Sequence, residues 1–239
     1  MLQKRELERM PMTVTVSVIS DTHLRHRELN LPGGDLLIHC GDMFSLGVEN
    51  QAVITELDAW FREQDHDQVL CVGGNHDHAL EAAFRNCPQP FQNAHYHQGA
   101  SYSFKGLNLY GTPWVPNLPH HAFSARKEEL AIAWANIPIA TDILSTHTPP
   151  AGILDQSRRG QSYGCPLLLK VLKRLRPKVH CFGHVHASAG SAMVSDTLFV
   201  DASSLDSGTD RVLPAVSFVF AGSKNREKPK IAEPERIAK

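Results

Sequence analysis

The chain has 239 residues, 42% hydrophobic and 21% charged, and its 24 Lys and Arg nearly balance 25 Asp and Glu to leave a formal charge of -1. These values exclude an intrinsically disordered chain and give no global pull toward nucleic acid or an anionic membrane, while leaving room for a local patch. The length suits one domain with a sizeable core, without excluding two.

Residues 1–12, MLQKRELERMPM, carry mixed charge with no apolar stretch behind them and are expected to form a polar N-terminal extension. Residues 13–20 (TVTVSVIS) are β-branched and apolar and stop at Asp21-Thr22-His23, the pattern of a buried strand ending in a polar loop. The same grammar recurs at 35–42 (DLLIHCGD), 68–77 (QVLCVGGNHD), 142–147 (DILSTH) and 178–186 (KVHCFGHVH). Each apolar run closes on Asp, Asn or His, and open α/β sheets bind ligands at the carboxyl ends of their strands. Between the strands, Asn50 can cap a helix whose Val53, Leu57, Trp60 and Phe61 make one stripe. Pro166 opens a second helix with the stripe Leu167, Leu168, Val171, Leu172 and Leu175, which ends before Pro177. Residues 95–111 read as a hairpin, and Ser191–Asp201 with Val212–Phe220 as two further strands. Residues 13–221 are therefore the expected domain, and 222–239 a polar, solvated, flexible tail.

Five Cys is an odd count without a C-x-x-C arrangement, so neither a disulfide framework nor a Cys-based zinc site is encoded. Cys40, Cys71 and Cys181 lie in strand-like runs, where a thiol serves as a small buried hydrophobe. With no leader and no eighteen-residue apolar run, a cytoplasmic location is expected. Fourteen His residues stand out, because imidazole both carries protons near neutral pH and binds metals.

Two metal ions held roughly 3.5–4 Å apart need anionic oxygens, neutral imidazoles and a carboxylate that bridges them. Asp21 and His23 alternate at one strand end, so extended geometry projects them to one side, and His184 and His186 share that spacing. Asp42 follows Gly41 at a third strand end, where it could bridge, while Asn75 and His147 close two more. Singly, each has an ordinary explanation as a turn residue, a cap or a satisfied core imidazole. Jointly, five separate segments would each have to end in a ligand-type residue at one edge by accident.

The ordered set Asp21-x-His23, Gly41-Asp42, Gly74-Asn75-His76-Asp77, His147 and Gly183-His184-x-His186 resembles the signature of the calcineurin-like metallophosphoesterases. Within that superfamily, NLYGTPW (108–114), RPKVHCFGHVHASAG (176–190) and VDASSL (200–205) are similar to the metallophosphoesterase-domain-containing group, related to class III cyclic-nucleotide phosphodiesterases. The resemblance implies a four-layer α/β sandwich, two facing mixed β-sheets flanked by helices. It also implies two divalent or mixed-valence transition-metal ions, with Mn, Fe and Zn as candidates. Asp21, His23 and His186 would hold one ion, Asn75, His147 and His184 the other, and Asp42 would be shared. The implied reaction is hydrolysis of a phosphodiester, such as a cyclic nucleotide, by a metal-activated water. His76 would assist the leaving group, and Asp77 would orient the His76 imidazole.

Arg158 and Arg159 are candidates to clamp a phosphate and Trp114 to stack on a base, while His78, His120 and His121 occupy segments that could border the pocket. His26, His66 and His97 are assigned to the surface. A phosphomonoesterase, a nuclease and a nucleotide pyrophosphatase use the same metal core and stay as alternatives. A catalytically silent scaffold is disfavoured because all seven ligand positions and His76 are present. The expected partner is a small phosphoester, with membrane excluded, nucleic acid disfavoured and the oligomeric state, a homodimer included, left open.

Overall fold

The computed structural model describes residues 13–48, 50–221, 230–231 and 235–236. In chain order the strands are β1 (Thr13–Ile19), β2 (Gly34–His39), β3 (His66–Cys71), β4 (His95–Tyr96), β5 (Ala100–Phe104), β6 (Leu107–Thr112), β7 (Val115–Pro116), β8 (Ser124–Ala125), β9 (Ile143–Thr146), β10 (Val179–Phe182), β11 (Gly190–Val194), β12 (Thr197–Asp201), β13 (Val216–Ala221), β14 (Lys230–Ile231) and β15 (Glu235–Arg236). The helices are α1 (Gln51–Arg62), α2 (His78–Asn86), α3 (Lys127–Ala135) and α4 (Pro166–Leu175).

Strand alternation builds two faces on each sheet. Val14, Val16 and Val18 of β1 and Leu36 and Ile38 of β2 point into the core between the sheets, whereas Ile19 and Leu37 face the helices. In the second sheet Leu198 and Val200 of β12 meet that same central core, and Phe199 faces outward. The first sheet runs β14-β13-β1-β2-β3-β4, with β15 also on β13, and the second runs β11-β12-β10-β9-β6-β5. Leu57, Trp60 and Phe61 of α1 and Leu80 of α2 cover the outer face of the first sheet. Leu130 and Trp134 of α3 and Leu168 and Leu172 of α4 cover the second. The result is the four-layer order helix, sheet, sheet, helix. Full burial of each such aliphatic or aromatic side chain contributes about 1.5–3 kcal/mol, so the three apolar layers dominate stability.

The expected helix signals operate locally. Asn50 accepts the Ala52 N–H at 2.9 Å, and α4 begins on Pro166 and ends at Arg176, whose left-handed φ of 49° precedes Pro177. The nine-residue helices α2 and α3 were not anticipated from the sequence. Each buries only two residues, Ala79 and Leu80 or Leu130 and Trp134, too short a stripe to stand out by periodicity.

His26, His66 and His97 depart from their surface assignment. His26 is 1% exposed with Nε2 2.8 Å from the Glu56 carboxylate, and His97 is 2% exposed beside the His95 ring. His66 is half-buried. Burial lowers the pKa of all three, His97 to about 4, so each enters the interior as a neutral imidazole at small cost. Of the segment 222–239, Lys230–Ile231 and Glu235–Arg236 pair with β13, and the rest, like residues 1–12, lies outside the described residues.

The topology decides where chemistry sits. β1 to β4 are parallel to one another, as are β6, β9, β10 and β12 in the facing sheet. A parallel bridge between Ser20 and Ser203 joins the segments that follow β1 and β12, so the carboxyl ends of both sheets open onto one shared edge.

Candidate metal centre

The side chains at that edge leave from loops, not from alternating strand positions. Asp21, His23, Asp42 and His184 all have left-handed backbone, with φ of 54°, 43°, 52° and 74°, and His186 begins a short 3-10 turn, His186–Ser188. This corrects the extended geometry expected for the Asp21/His23 and His184/His186 pairs. A left-handed residue reverses the chain just past the strand and throws its side chain across the gap between the sheets, at a strain of about 1–3 kcal/mol each. Two glycines allow the close approach. A Cβ on Gly74 would strike the Asp42 carboxylate, and one on Gly183 would strike the Asp21 carboxylate and the Ser20 hydroxyl.

The loops bring all seven expected ligands together. Three overlapping triads, Asp21–His23–His186, His23–Asp42–His76 and Asp21–Asp42–His147, each keep one donor atom per residue within 4.8 Å of the others. His186 Nε2 lies 3.3 Å from Asp21 Oδ1 and 3.4 Å from His23 Nε2. On the other side Asn75 Oδ1 sits 3.0 Å from His147 Nε2 and 2.8 Å from His184 Nδ1. Asp42 stands between the two groups: Oδ1 accepts the His76 N–H at 2.8 Å, while Oδ2 lies 3.3 Å from His147 Nε2.

The far nitrogens of two imidazoles are anchored. His23 Nδ1 lies 3.0 Å from the Phe44 carbonyl and His147 Nδ1 2.9 Å from the Cys40 carbonyl. A carbonyl only accepts, so each Nδ1 carries a proton and Nε2 is the nitrogen turned toward the centre, the orientation that outer partners impose on metal-binding His. Asp21 is fixed likewise by the His184 N–H at 3.0 Å and the Ser203 hydroxyl at 3.0 Å. Oxygen and imidazole donors converging around a buried carboxylate fit two divalent transition ions, giving a candidate dinuclear site.

Electrostatics follow the same division. Burial opposes ionisation of Asp21, yet the nearby His186, His147 and His23 imidazoles hold its pKa well below the usual carboxylate range. Asp42 is likewise lowered, against burial, by His147. Burial disfavours the charged form of His147, but the Asp42 carboxylate prevails and raises it to about 10. His186 is raised by Asp21 in the same way, whereas burial lowers His184 to about 4.

His76 is half-buried beside the centre, its ring 4.8 Å from that of His23 and its Nε2 3.8 Å from Asp42 Oδ2, too far for a hydrogen bond. Burial lowers its pKa, and its Nδ1 is buried with no hydrogen-bond partner among the described residues. Asp77 does not orient this ring, contrary to expectation. Its Oδ1 accepts the Phe44 N–H at 2.9 Å and its Oδ2 the Gly74 N–H at 2.8 Å, so it ties the loop carrying Asp42 to the loop carrying Asn75. Burial, then the Asp42 charge, push its pKa up to about 8.

The expected substrate contacts separate. Arg159 lines a groove with His184 and His186. Arg158 lines it too, but its guanidinium is engaged by Asp206 Oδ1 at 2.9 Å and Ser207 Oγ at 3.0 Å, which makes it a strut and not a free clamp. Trp114 lies apart, edge-on to Phe123, in the wall of another cavity of about 910 Å³. His121 stands with its ring 6.2 Å from His76, His78 opens α2, and His120 is exposed with a left-handed φ of 71°. The sequence reading missed three contributors. Ser203 Oγ sits between Asp21 Oδ2 and Asp201 Oδ1, at 3.0 and 2.7 Å; Tyr163 borders His184; and the loop Leu205–Asp210 walls the centre. The run Asp206-Ser207-Gly208-Thr209 was a readable turn signal for that loop.

Comparison with known proteins places this arrangement. The calcineurin-like phosphoesterase profile matches residues 14–188. Metallophosphoesterase domain-containing protein 1 of Homo sapiens is 30% identical over 211 residues, covering 77% of this chain; the match spans only 64% of that protein's length. A UPF0046 protein of Caenorhabditis elegans is 31% identical over 219 residues, covering 85% of this chain and 74% of its own. Among solved structures, a chain 19% identical superposes with a TM-score of 0.61 over 92% of this chain and 99% of itself. GAP50 of Plasmodium, described as the anchor in the inner membrane complex, is 13% identical with a TM-score of 0.52 over 95% and 90%. At those identities the two structures share the fold.

Proposed function

This chain belongs to the calcineurin-like phosphoesterase family, and on that premise we propose that it hydrolyses a phosphodiester to an alcohol and a phosphomonoester. The observation that carries the reading is the convergence of Asp21, His23, His186, Asn75, His147 and His184 at one edge with Asp42 between them. Two bound transition ions supply positive charge to the phosphoryl oxygens and lower the pKa of water.

The chain's own residues do the rest. Asp42 and Asp21 provide the negative charge that offsets two cations, while the carbonyls of Cys40 and Phe44 hold His147 and His23 in the donor tautomer. His76 faces the groove beside His23 and His186, where it delivers a proton to the departing oxygen. Gly74 and Gly183 keep the two carboxylates close enough to serve both sides.

A diester is favoured over a monoester on charge. A diester phosphate carries one negative charge and a monoester up to two, and among the described residues of the two grooves at the centre there is no Lys, Arg158 is already paired with Asp206, and Arg159 is the single Arg left for an anion. The likeness to class III cyclic-nucleotide phosphodiesterases makes a cyclic nucleotide one candidate within that class, beside open-chain diesters, with Mn, Fe or Zn as the metals. A small phosphoester in the cytoplasm is the partner and setting we infer. No helix among the described residues is long and apolar enough to cross a membrane. The test is a panel of metal-free protein reconstituted with Mn, Fe, Zn or Mg against cyclic nucleotides, aryl diesters and aryl monoesters. Turnover of diesters with a transition metal supports the proposal, and turnover of monoesters alone overturns it in favour of a phosphomonoesterase.

A further inference from the structure

The ligand cluster opens onto two grooves rather than one. The first, about 670 Å³, contains His23, His76 and His186 and is closed by Ser45, Leu46 and the loop Leu205–Asp210. The second, about 480 Å³, contains His184 and His186 with Arg159, Gln161 and Tyr163. His186 and Ser207 line both, so the grooves meet at the centre with the Leu205–Asp210 loop dividing them.

That divider is a built wall. Asp206 Oδ1 accepts the N–H groups of Gly208 and Thr209 at 2.9 and 2.8 Å as well as the Arg158 guanidinium at 2.9 Å. At its far end Asp210 is held by Arg25, through the backbone carbonyl at 2.6 Å and the carboxylate at 3.0 Å. Gly208 passes so close to Arg158 that a Cβ there would strike the guanidinium. Arginines from two other loops thus brace the wall from both sides.

The two grooves differ in chemistry. In the first, both carboxylates of the wall are neutralised by Arg158 and Arg25, and Leu46 is 56% exposed. In the second, the Arg159 guanidinium has no ion-pair partner among the described residues, and Tyr163 is 44% exposed. An open-chain phosphodiester has two ester arms that can diverge from phosphorus. A cyclic nucleotide ties both into one ring, and a monoester has only one.

Resting on the phosphodiesterase reading above, we infer that the substrate is an open-chain, asymmetric phosphodiester whose uncharged leaving alcohol lies in the His76 groove and whose retained arm is nucleotide-like. The retained arm lies in the second groove, where Tyr163 receives a planar ring and Arg159 a further anionic group. The water oxygen bonds to phosphorus as the bond to the leaving oxygen breaks. That oxygen keeps the electron pair and takes a proton by way of His76, and the second water proton passes to solvent as the monoester ionises.

The test compares two p-nitrophenyl diesters of thymidine 5′-phosphate, one bearing a 3′-phosphate and one without, on the Mn-loaded protein. Bis(p-nitrophenyl) phosphate, p-nitrophenyl phosphate and 3′,5′-cyclic AMP complete the panel. The 3′-phosphate is expected to lower KM about tenfold, the worth of one charge-assisted contact, and Arg159→Gln to bring that ratio to about one. Calorimetry without turnover should show the same ratio between thymidine 3′,5′-bisphosphate and thymidine 5′-phosphate. Equal KM and equal affinity for the two forms, or faster hydrolysis of cyclic AMP than of either thymidine diester, overturns this inference while leaving the phosphodiesterase reading standing. Hydrolysis of p-nitrophenyl phosphate alone overturns both.

Discussion

His147 Nε2 lies 3.3 Å from Asp42 Oδ2, with both side chains closed off from solvent. In the metal-free protein this contact favours an imidazolium, which raises His147 to about 10 from an unfolded value of about 6.5. A raised pKa contributes stability that is full below the unfolded value and is lost as pH climbs through the folded one. Asp77, raised to about 8, acts in the same direction. The Tm of metal-free protein is therefore expected to fall between pH 7 and 10. Metal must displace the His147 proton, so calorimetry at pH 7 in two buffers of different ionisation enthalpy should show at least one proton released per pair of ions bound. A flat Tm profile together with no proton release would remove the His147–Asp42 pair from this role.

Asp42→Ala is expected to abolish binding of both ions, because Asp42 belongs both to the triad with His23 and His76 and to the triad with Asp21 and His147. His184→Ala should weaken mainly the ion on the Asn75 and His147 side. Metal content after dialysis is the measurement, falling from two per chain toward zero in the first variant and toward one in the second. Retention of both ions by Asp42→Ala would show that the carboxylate does not bridge.

His76→Ala should keep both metals and lower kcat by roughly 10²–10⁴-fold, the usual worth of a positioned acid. The loss should be far smaller for a nitrophenolate leaving group than for an alkoxide, because the more basic oxygen needs the proton. Equal losses on both substrates at unchanged metal content would leave His76 as a phosphate-positioning group.

Asp77→Ala should behave differently, as a loss of structure. It strands the buried N–H groups of Phe44 and Gly74 at a cost of about 1–3 kcal/mol each. A Tm lower by about 4–12 °C follows for a domain of this size. Because Asp77 makes no bond to the His76 ring, the leaving-group dependence seen in His76→Ala should be absent. If it appears, Asp77 acts through the imidazole after all.

The sequence made the strands and the ligand residue types legible because both are local signals. Val14, Val16 and Val18 announce a buried face, and Asp, Asn or His at the end of an apolar run announces an edge with chemistry. Backbone handedness is not encoded so openly. Nothing in the string Asp21-Thr22-His23 distinguishes an extended pair from two left-handed residues, and the choice is made by the Gly41 carbonyl and the Asp42 carbonyl, which accept their N–H groups. The partner of Asp77 was misread for a related reason. Adjacency to His76 suggested a local contact, but the carboxylate turns to Phe44, thirty-three positions away in the chain. Arg158 illustrates the same limit, since Asp206 becomes its neighbour only when the second sheet closes.

The seven ligands fall on both sides of the sandwich, with Asp21, His23, Asp42 and Asn75 following strands of the first sheet and His147, His184 and His186 following strands of the second. A metal pair held this way is a clasp between the two halves of the molecule, since pulling the sheets apart must break coordination at both ions. Removing the ions with a chelator should therefore speed unfolding more than it slows refolding, because the clasp closes only after the halves have docked. During synthesis Asp21, His23, Asp42 and Asn75 emerge before His147, His184 and His186, so neither expected ligand set is complete until the second sheet has been made.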